Sequence, residues 1–119
     1  RKSDFVARWG GEEFVLALPQ TSDAGARIAA ERVRRAVAAA AYPAPDGGES
    51  VRVTVSVGVA SADAPWSIER LVGAADAAMY AAKTRGRNRV EAAGSEGAES
   101  GPVRRGRTDP ADSVKVAKV

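Results

Sequence analysis

Cysteine and histidine are both absent from the 119 residues. Without cysteine there is no disulfide framework, no iron–sulfur centre and no thiolate zinc site. Without histidine there is no imidazole for metal binding or for proton transfer near neutral pH. Any catalysis must therefore use carboxylates, lysine, arginine, hydroxyls or backbone amides. Apolar runs are short, and none approaches the roughly 18 residues that cross a bilayer, so no membrane contact is expected of this segment. Neither sign of charge dominates. Lys and Arg number 18 against 15 Asp and Glu, a net +3, too small and too dispersed to argue for a nucleic acid polymer as partner.

What is present is ordinary globular composition, 45% hydrophobic and 28% charged, in a length that suits one domain. The chain starts at Arg1, its only methionine is Met79, and chemistry-bearing residues crowd the first fourteen positions. The reading therefore expects further sequence upstream. No basic-then-apolar leader opens the chain, and a reducing cytoplasm is the expected setting, with any membrane anchor of the parent lying upstream.

Along the chain, Phe5 to Trp9 reads as a strand, and Gly10-Gly11 as a hairpin turn. Phe14 to Leu18 is apolar on both alternating faces, the pattern of a strand covered on both sides. Pro19 ends it. Ser22 is a candidate N-cap, with Asp23 near the positive end of the helix dipole. Ala26, Ala29, Ala30, Val33 and Val37 then form one helical face out to about Ala41. Arg27, Glu31, Arg34 and Arg35 are expected on solvated faces. Pro43, Pro45 and Gly47-Gly48 stop the helix.

Residues 51 to 60 alternate Val51, Val53, Val55, Val57 and Val59 with smaller or polar residues, predicting one strand over the whole stretch. The small Ser56-x-Gly58 face leaves room for close approach of a helix. A second helix is predicted from Ser67, burying Ile68, Leu71, Val72, Ala75, Met79 and Ala82. Gly86 sits at its left-handed stop, and Arg89 to Ala93 forms a last short strand. Residues 94 to 119 lack packing periodicity and read as a disordered tail. Its Arg104-Arg105-x-Arg107 cluster reads as a solvated run. The fold class is α+β, a mainly antiparallel sheet flanked by helices.

Three local features carry chemistry. In Gly10-Gly11-Glu12-Glu13-Phe14 two glycines allow backbone amides to approach a ligand, and two carboxylates follow. Neighbouring side chains on a strand point to opposite faces, so Glu12 and Glu13 are not expected to hold one metal in the same way. A carboxylate beside a glycine turn suits Mg²⁺ held against phosphates, and a plain hairpin with exposed acids fits the same residues. Lys83 and Arg87 bracket a helix C-terminus, where cations are favoured by the dipole alone and where two cations could also grip a polyphosphate. Arg1-x-x-Asp4 is a weak pattern that a surface ion pair would explain.

Taken together, Arg8-Trp9-Gly10-Gly11-Glu12-Glu13-Phe14, Val53-Thr54-Val55-Ser56-Val57-Gly58-Val59, Ala75-Asp76-Ala77-Ala78-Met79-Tyr80-Ala81-Ala82-Lys83 and Gly86-Arg87-Asn88-Arg89-Val90 resemble the GGDEF family of diguanylate cyclases. Four blocks in the same order and at similar spacing make the resemblance specific. It covers residues 1 to 93, the C-terminal part of such a domain in its GGEEF variant, truncated at the N-terminus of a cyclase palm-like fold.

The resemblance implies condensation of two GTP into cyclic di-GMP with release of two pyrophosphates, Mg²⁺ or Mn²⁺ as cofactor, and a homodimer whose half-sites face one another. It assigns Glu12 as metal ligand and catalytic carboxylate, Glu13 as a second catalytic carboxylate, Gly10 and Gly11 to the nucleotide, and Lys83 and Arg87 to its phosphates. Arg1, Asp4 and Arg32 match an allosteric product site, where arginine forks pair with guanine and phosphate. Asp76 reads as structural, bonding a neighbouring backbone or basic group, and Trp9 and Tyr80 read as packing residues. Family members also carry, upstream of this point, a strand with an aspartate metal ligand and a guanine-reading segment. Neither occurs in this chain. A catalytically incomplete module acting as a cyclic di-GMP receptor is the alternative, and the isolated chain is expected to be inactive.

Overall fold

In a computed structural model, residues 2–63, 67–93 and 113–119 are described. Their elements run β1 (Phe5–Gly10), β2 (Glu13–Pro19), α1 (Asp23–Ala39), β3 (Val57–Asp63), α2 (Ile68–Thr84), β4 (Val90–Ala92) and β5 (Ser113–Lys118). The five strands form one sheet in the order β1-β2-β5-β3-β4. Its β1–β2, β2–β5 and β5–β3 pairings are antiparallel, and β3–β4 is parallel. This is the α+β architecture, with a mixed sheet and two helices, that suits a fragment of a GGDEF palm-like domain.

Both helices begin as their sequences predict. The Ser22 hydroxyl accepts from the Gly25 N–H at 3.0 Å, and the Ser67 hydroxyl accepts from the Arg70 N–H at 3.1 Å. Each cap satisfies an amide that the helix itself leaves orphaned. At the far end of α2, Gly86 adopts φ +124°, and the Arg87 N–H donates to the Ala82 carbonyl at 2.9 Å, the long bond of a Schellman stop.

Alternation along β3 separates the core into two halves. Val57 and Val59 meet Ala26 and Ala30 of α1, together with Leu18 and Ala117. Ala60, one face over, meets Leu71, Val72 and Ala75 of α2 with Val15. The helices therefore cover opposite faces of the sheet. Val57 is fully buried and contributes about 2 kcal/mol. Gly58 faces α2 with no room to spare, since an added Cβ would lie 2.0 Å from the Ala75 carbonyl oxygen. The expected close approach of a helix to the Ser56-x-Gly58 face is thus realised at Gly58.

Three expectations are corrected. The strand predicted over 51–60 begins only at Val57. Val51 makes an isolated bridge to Tyr42, and Val51 and Val53 remain exposed. Pairing with β5 reaches Gly58 opposite Lys118, and pairing with β4 starts at Val57 opposite Val90. Alternating valines with a single bridge and no continuous neighbouring strand do not make a ladder.

The second correction concerns the tail. Residues 94–112 lie outside the described residues, and so does the Arg104-Arg105-x-Arg107 cluster. Ser113–Lys118, however, is the central strand of the sheet. Its valine alternation is too short to register as a sequence signal, and two open edges, on β2 and β3, supply the missing order. Third, Trp9 and Tyr80 are not packed, being 53% and 68% exposed. Trp9 falls at the irregularity in register between Arg8 and Gly10, and Tyr80 lies on the outer face of α2.

Candidate functional site

The hairpin between β1 and β2 pairs Gly10 with Glu13, which leaves Gly11 and Glu12 as its two-residue tip. Gly11 takes φ +55°, a conformation that favours glycine over any residue with a Cβ. Glu12 is consequently exposed at the tip, whereas Glu13 opens β2 and is half-buried. The adjacent carboxylates have separate environments, as strand alternation predicts.

A cavity of about 280 Å³ lies beside this hairpin, lined by Glu12, Glu13, Phe14, Thr54, Val55, Ser56, Lys83 and Val119. It brings together three of the predicted site residues from separate elements: Glu12 from the turn, Glu13 from β2 and Lys83 from the last turn of α2. Thr54, Ser56 and Val119 were not predicted as site residues. The hydroxyls of Thr54 and Ser56 lie in the half of the valine run that forms no strand, and Ser56 is buried. Gly10, Gly11 and Arg87 are not among the lining residues. Arg87 is exposed just past α2, with φ +63°, followed by Asn88 at φ +48°.

Glu13 has a partner that no sequence signal revealed. Lys118 of β5 is buried, and its Nζ lies 3.1 Å from Glu13 Oε2 and 2.5 Å from Asp76 Oδ1 of α2. Asp76 thus bonds a basic group, in the structural role read from the sequence. Burial works against the ammonium charge, but its hydrogen bonds to Asp76 and Glu13 and their negative charges outweigh it and hold the Lys118 pKa above the usual lysine value. Lys118 meets both acids through the pairing of β5 with β2 and its packing against α2, so the signal is tertiary.

Magnesium is held by one or two carboxylates together with waters and substrate phosphates, in near-octahedral geometry. Here Glu12 offers a carboxylate at the cavity, while that of Glu13 is engaged by an ammonium group. Among the described residues no group of three or more acidic, histidine or cysteine side chains is placed to hold a metal ion. These residues do not by themselves complete a divalent-cation site.

The predicted product-site residues Arg1, Asp4 and Arg32 fall at the start of the chain and on α1. Arg1 lies outside the described residues. Asp4 is half-buried ahead of β1. Arg32 is on α1, lining with Ile28, Glu31 and Arg35 a separate recess of about 280 Å³. Next to it, Arg34 is less solvated than its helical position suggests. It pairs with Glu31 and donates from Nη1 to Asn88 Oδ1 at 2.8 Å, tying α1 to the turn that carries Arg87. Hydrogen bonding to Arg34 lowers the Glu31 pKa below the usual carboxylate value.

Comparison with known proteins agrees with this geometry. The family model "Diguanylate cyclase, GGDEF domain" matches residues 1–89. Diguanylate cyclase DosC of Escherichia coli K12 is 42% identical over 91 residues, which is 76% of this chain and 20% of DosC. Diguanylate cyclase DgcM of the same strain is 47% identical over 93 residues, 78% of this chain and 22% of DgcM. Diguanylate cyclase A of Treponema denticola is 41% identical over 91 residues, 76% of this chain and 24% of that protein. The chain spans about a fifth of the length of the first two relatives. No described helix is long and apolar enough to cross a membrane. By its matching residues, its sheet and its Gly-Gly-Glu-Glu hairpin, the chain belongs to the GGDEF diguanylate cyclase family.

Proposed function

We propose that this chain is the C-terminal part of a module that condenses two GTP into cyclic di-GMP. Each 3′-hydroxyl attacks the α-phosphate of the opposing nucleotide, and each attack expels one pyrophosphate. The observation that carries this reading is the convergence of Glu12, Glu13 and Lys83 on one cavity. Lys83 brings a positive charge to the polyphosphate, and Arg87 adds a planar fork from the following turn. Gly10 and Gly11 keep the hairpin open to the nucleotide. Glu12 contributes one carboxylate to the family's Mg²⁺ or Mn²⁺, the remaining ligands coming from outside these residues, and Glu13 is the second catalytic carboxylate.

Two half-sites on facing copies make the reaction one of alignment, so the working unit is a homodimer. Arg1, Asp4 and Arg32 form the site at which product returns to inhibit. The setting is cytoplasmic. The test is turnover of GTP with Mg²⁺ by the intact parent, followed chromatographically. Cyclic di-GMP is expected from the parent and none from Glu12→Ala or Glu13→Ala. A correctly folded parent without product, or full activity in both variants, overturns the reading. Residues 1–119 alone are expected to form no product.

The second reading is a receptor that binds cyclic di-GMP through Arg1, Asp4 and Arg32 without catalysis. The engagement of Glu13 by Lys118 favours it. A metal-ligating aspartate in the upstream coding sequence distinguishes the enzyme from the receptor.

A further inference from the structure

Arg34 continues, at a spacing of four, the α1 stripe whose Ala26 and Ala30 are buried against Val57 and Val59 of β3. A charged residue at that place needs partners for its whole guanidinium, and it has them. Its Nε bonds both Glu31 carboxylate oxygens at 3.0 Å, and its Nη2 bonds Glu31 Oε1. Nη1, left over from that pairing, crosses to Asn88 Oδ1 at 2.8 Å, 54 positions along the chain.

The turn it reaches is one that its own residues do not favour. Gly86, Arg87 and Asn88 have φ +124°, +63° and +48° in succession, and left-handed backbone is unfavourable for the two that carry a Cβ. Such conformations persist where surrounding contacts fix them. Here the Arg87 N–H is held by the Ala82 carbonyl, and the neighbouring Asn88 side chain by Arg34. The first anchor belongs to α2, which also carries Lys83. The second belongs to α1, on the opposite face of the sheet.

We propose that Arg34 is a positioning residue for Arg87: by holding Asn88, it fixes the turn from which Arg87 meets the nucleotide phosphates. This rests on the reading of Arg87 as a phosphate ligand given above. Arg34 itself, committed to Glu31 and Asn88, touches no substrate in this role. A planar guanidinium suits the task, because it presents donors in fixed directions to two partners at once, as an ammonium group does not. Fixing the turn before the nucleotide arrives removes an ordering cost from binding.

The test is titration calorimetry on the intact parent with Mg²⁺ and 3′-deoxy-GTP, which lacks the attacking hydroxyl and so binds without reacting. Circular dichroism checks that each variant is folded at the temperature used. Arg34→Ala is expected to weaken binding about tenfold, the size of one lost charge-assisted hydrogen bond. Asn88→Gly removes the acceptor while easing the left-handed backbone, and is expected to weaken binding to the same extent. It carries the test alone should Arg34→Ala prove unstable. Both effects are expected to vanish in the Arg87→Ala background, which a merely structural role for Arg34 would not produce. Arg35→Ala removes an equal charge that pairs with Glu31 and is expected to leave the affinity unchanged.

If Arg87→Ala alone binds the nucleotide as the parent does, the phosphate reading fails and the proposal with it. The proposal alone is overturned if Arg87→Ala weakens binding but the folded Arg34 and Asn88 variants do not. It is also overturned if their effects persist in the Arg87→Ala background, or if Arg35→Ala weakens binding as much as they do.

Discussion

Gly58 of β3 lies directly under Ala75 of α2, so close that a Cβ at Gly58 would stand 2.0 Å from the Ala75 carbonyl oxygen and 2.2 Å from the Met79 amide nitrogen. Both obstacles are backbone and cannot rotate aside. Gly58→Ala must push α2 off the sheet, and the expected loss is about 3 kcal/mol or more, the upper end for overpacking. Gly73, on the exposed side of the same helix, has nothing within 4 Å of an added Cβ. Gly73→Ala should instead stabilise by about 0.8 kcal/mol through helix propensity. Urea denaturation of the two variants is expected to give opposite signs.

Lys118 makes a pH prediction. Its pKa is raised in the folded protein by its hydrogen bonds to Asp76 and Glu13, against the cost of burial. The stabilisation is therefore complete below the ordinary lysine pKa and is lost as pH rises through the elevated folded value. Lys118→Met removes the cation shared by the Glu13 and Asp76 carboxylates, and because both carboxylates keep contact with solvent it should cost about 1 kcal/mol at neutral pH. The native protein should lose melting temperature in the alkaline range where the lysine deprotonates, and the variant should lack that transition.

Much of this molecule is legible in order of residues, and the illegible parts share a cause. The hairpin, both N-caps and the α2 stop rest on contacts within a few positions, so the chain announces them locally. Glu12, Glu13 and Lys83 were readable through their motif blocks, and the cavity joins them. The strand at Ser113–Lys118 is different, because six residues with two valines carry no signal until two open edges stand on either side. The same dependence cuts the valine run in half, since Val51 and Val53 alternate well but meet no continuous strand, Val51 bridging Tyr42 alone. Lys118 was invisible for the further reason that Glu13 and Asp76 meet only after β2, β5 and α2 have come together.

Arg87 sits in a left-handed conformation, φ +63°, between Gly86 and Asn88, which also have positive φ. Such a conformation costs a residue with a Cβ about 1–2 kcal/mol. Arg87→Gly should therefore raise the melting temperature. If Arg87 holds phosphate, as proposed, the same variant should weaken GTP binding, measured by titration calorimetry on the intact parent.

Ser67 offers a calibration of helix capping. Its hydroxyl accepts from the Arg70 amide, and Ser67→Ala should cost about 1 kcal/mol. Ser67→Asp should keep the cap, and thermal unfolding should rank the two variants accordingly.

The central position of β5 also governs how the chain reaches its native state. The β1–β2 hairpin and the β3–α2–β4 unit each close over short stretches of chain and can form early. Joining them requires Leu16 to meet Ala117, partners separated by about a hundred positions, and a closure of that span is entropically costly before any ladder rewards it. Sheet completion is therefore the slow kinetic event. Strengthening the ends of β5 should slow unfolding, while the refolding rate should follow how readily the last seven residues find their place.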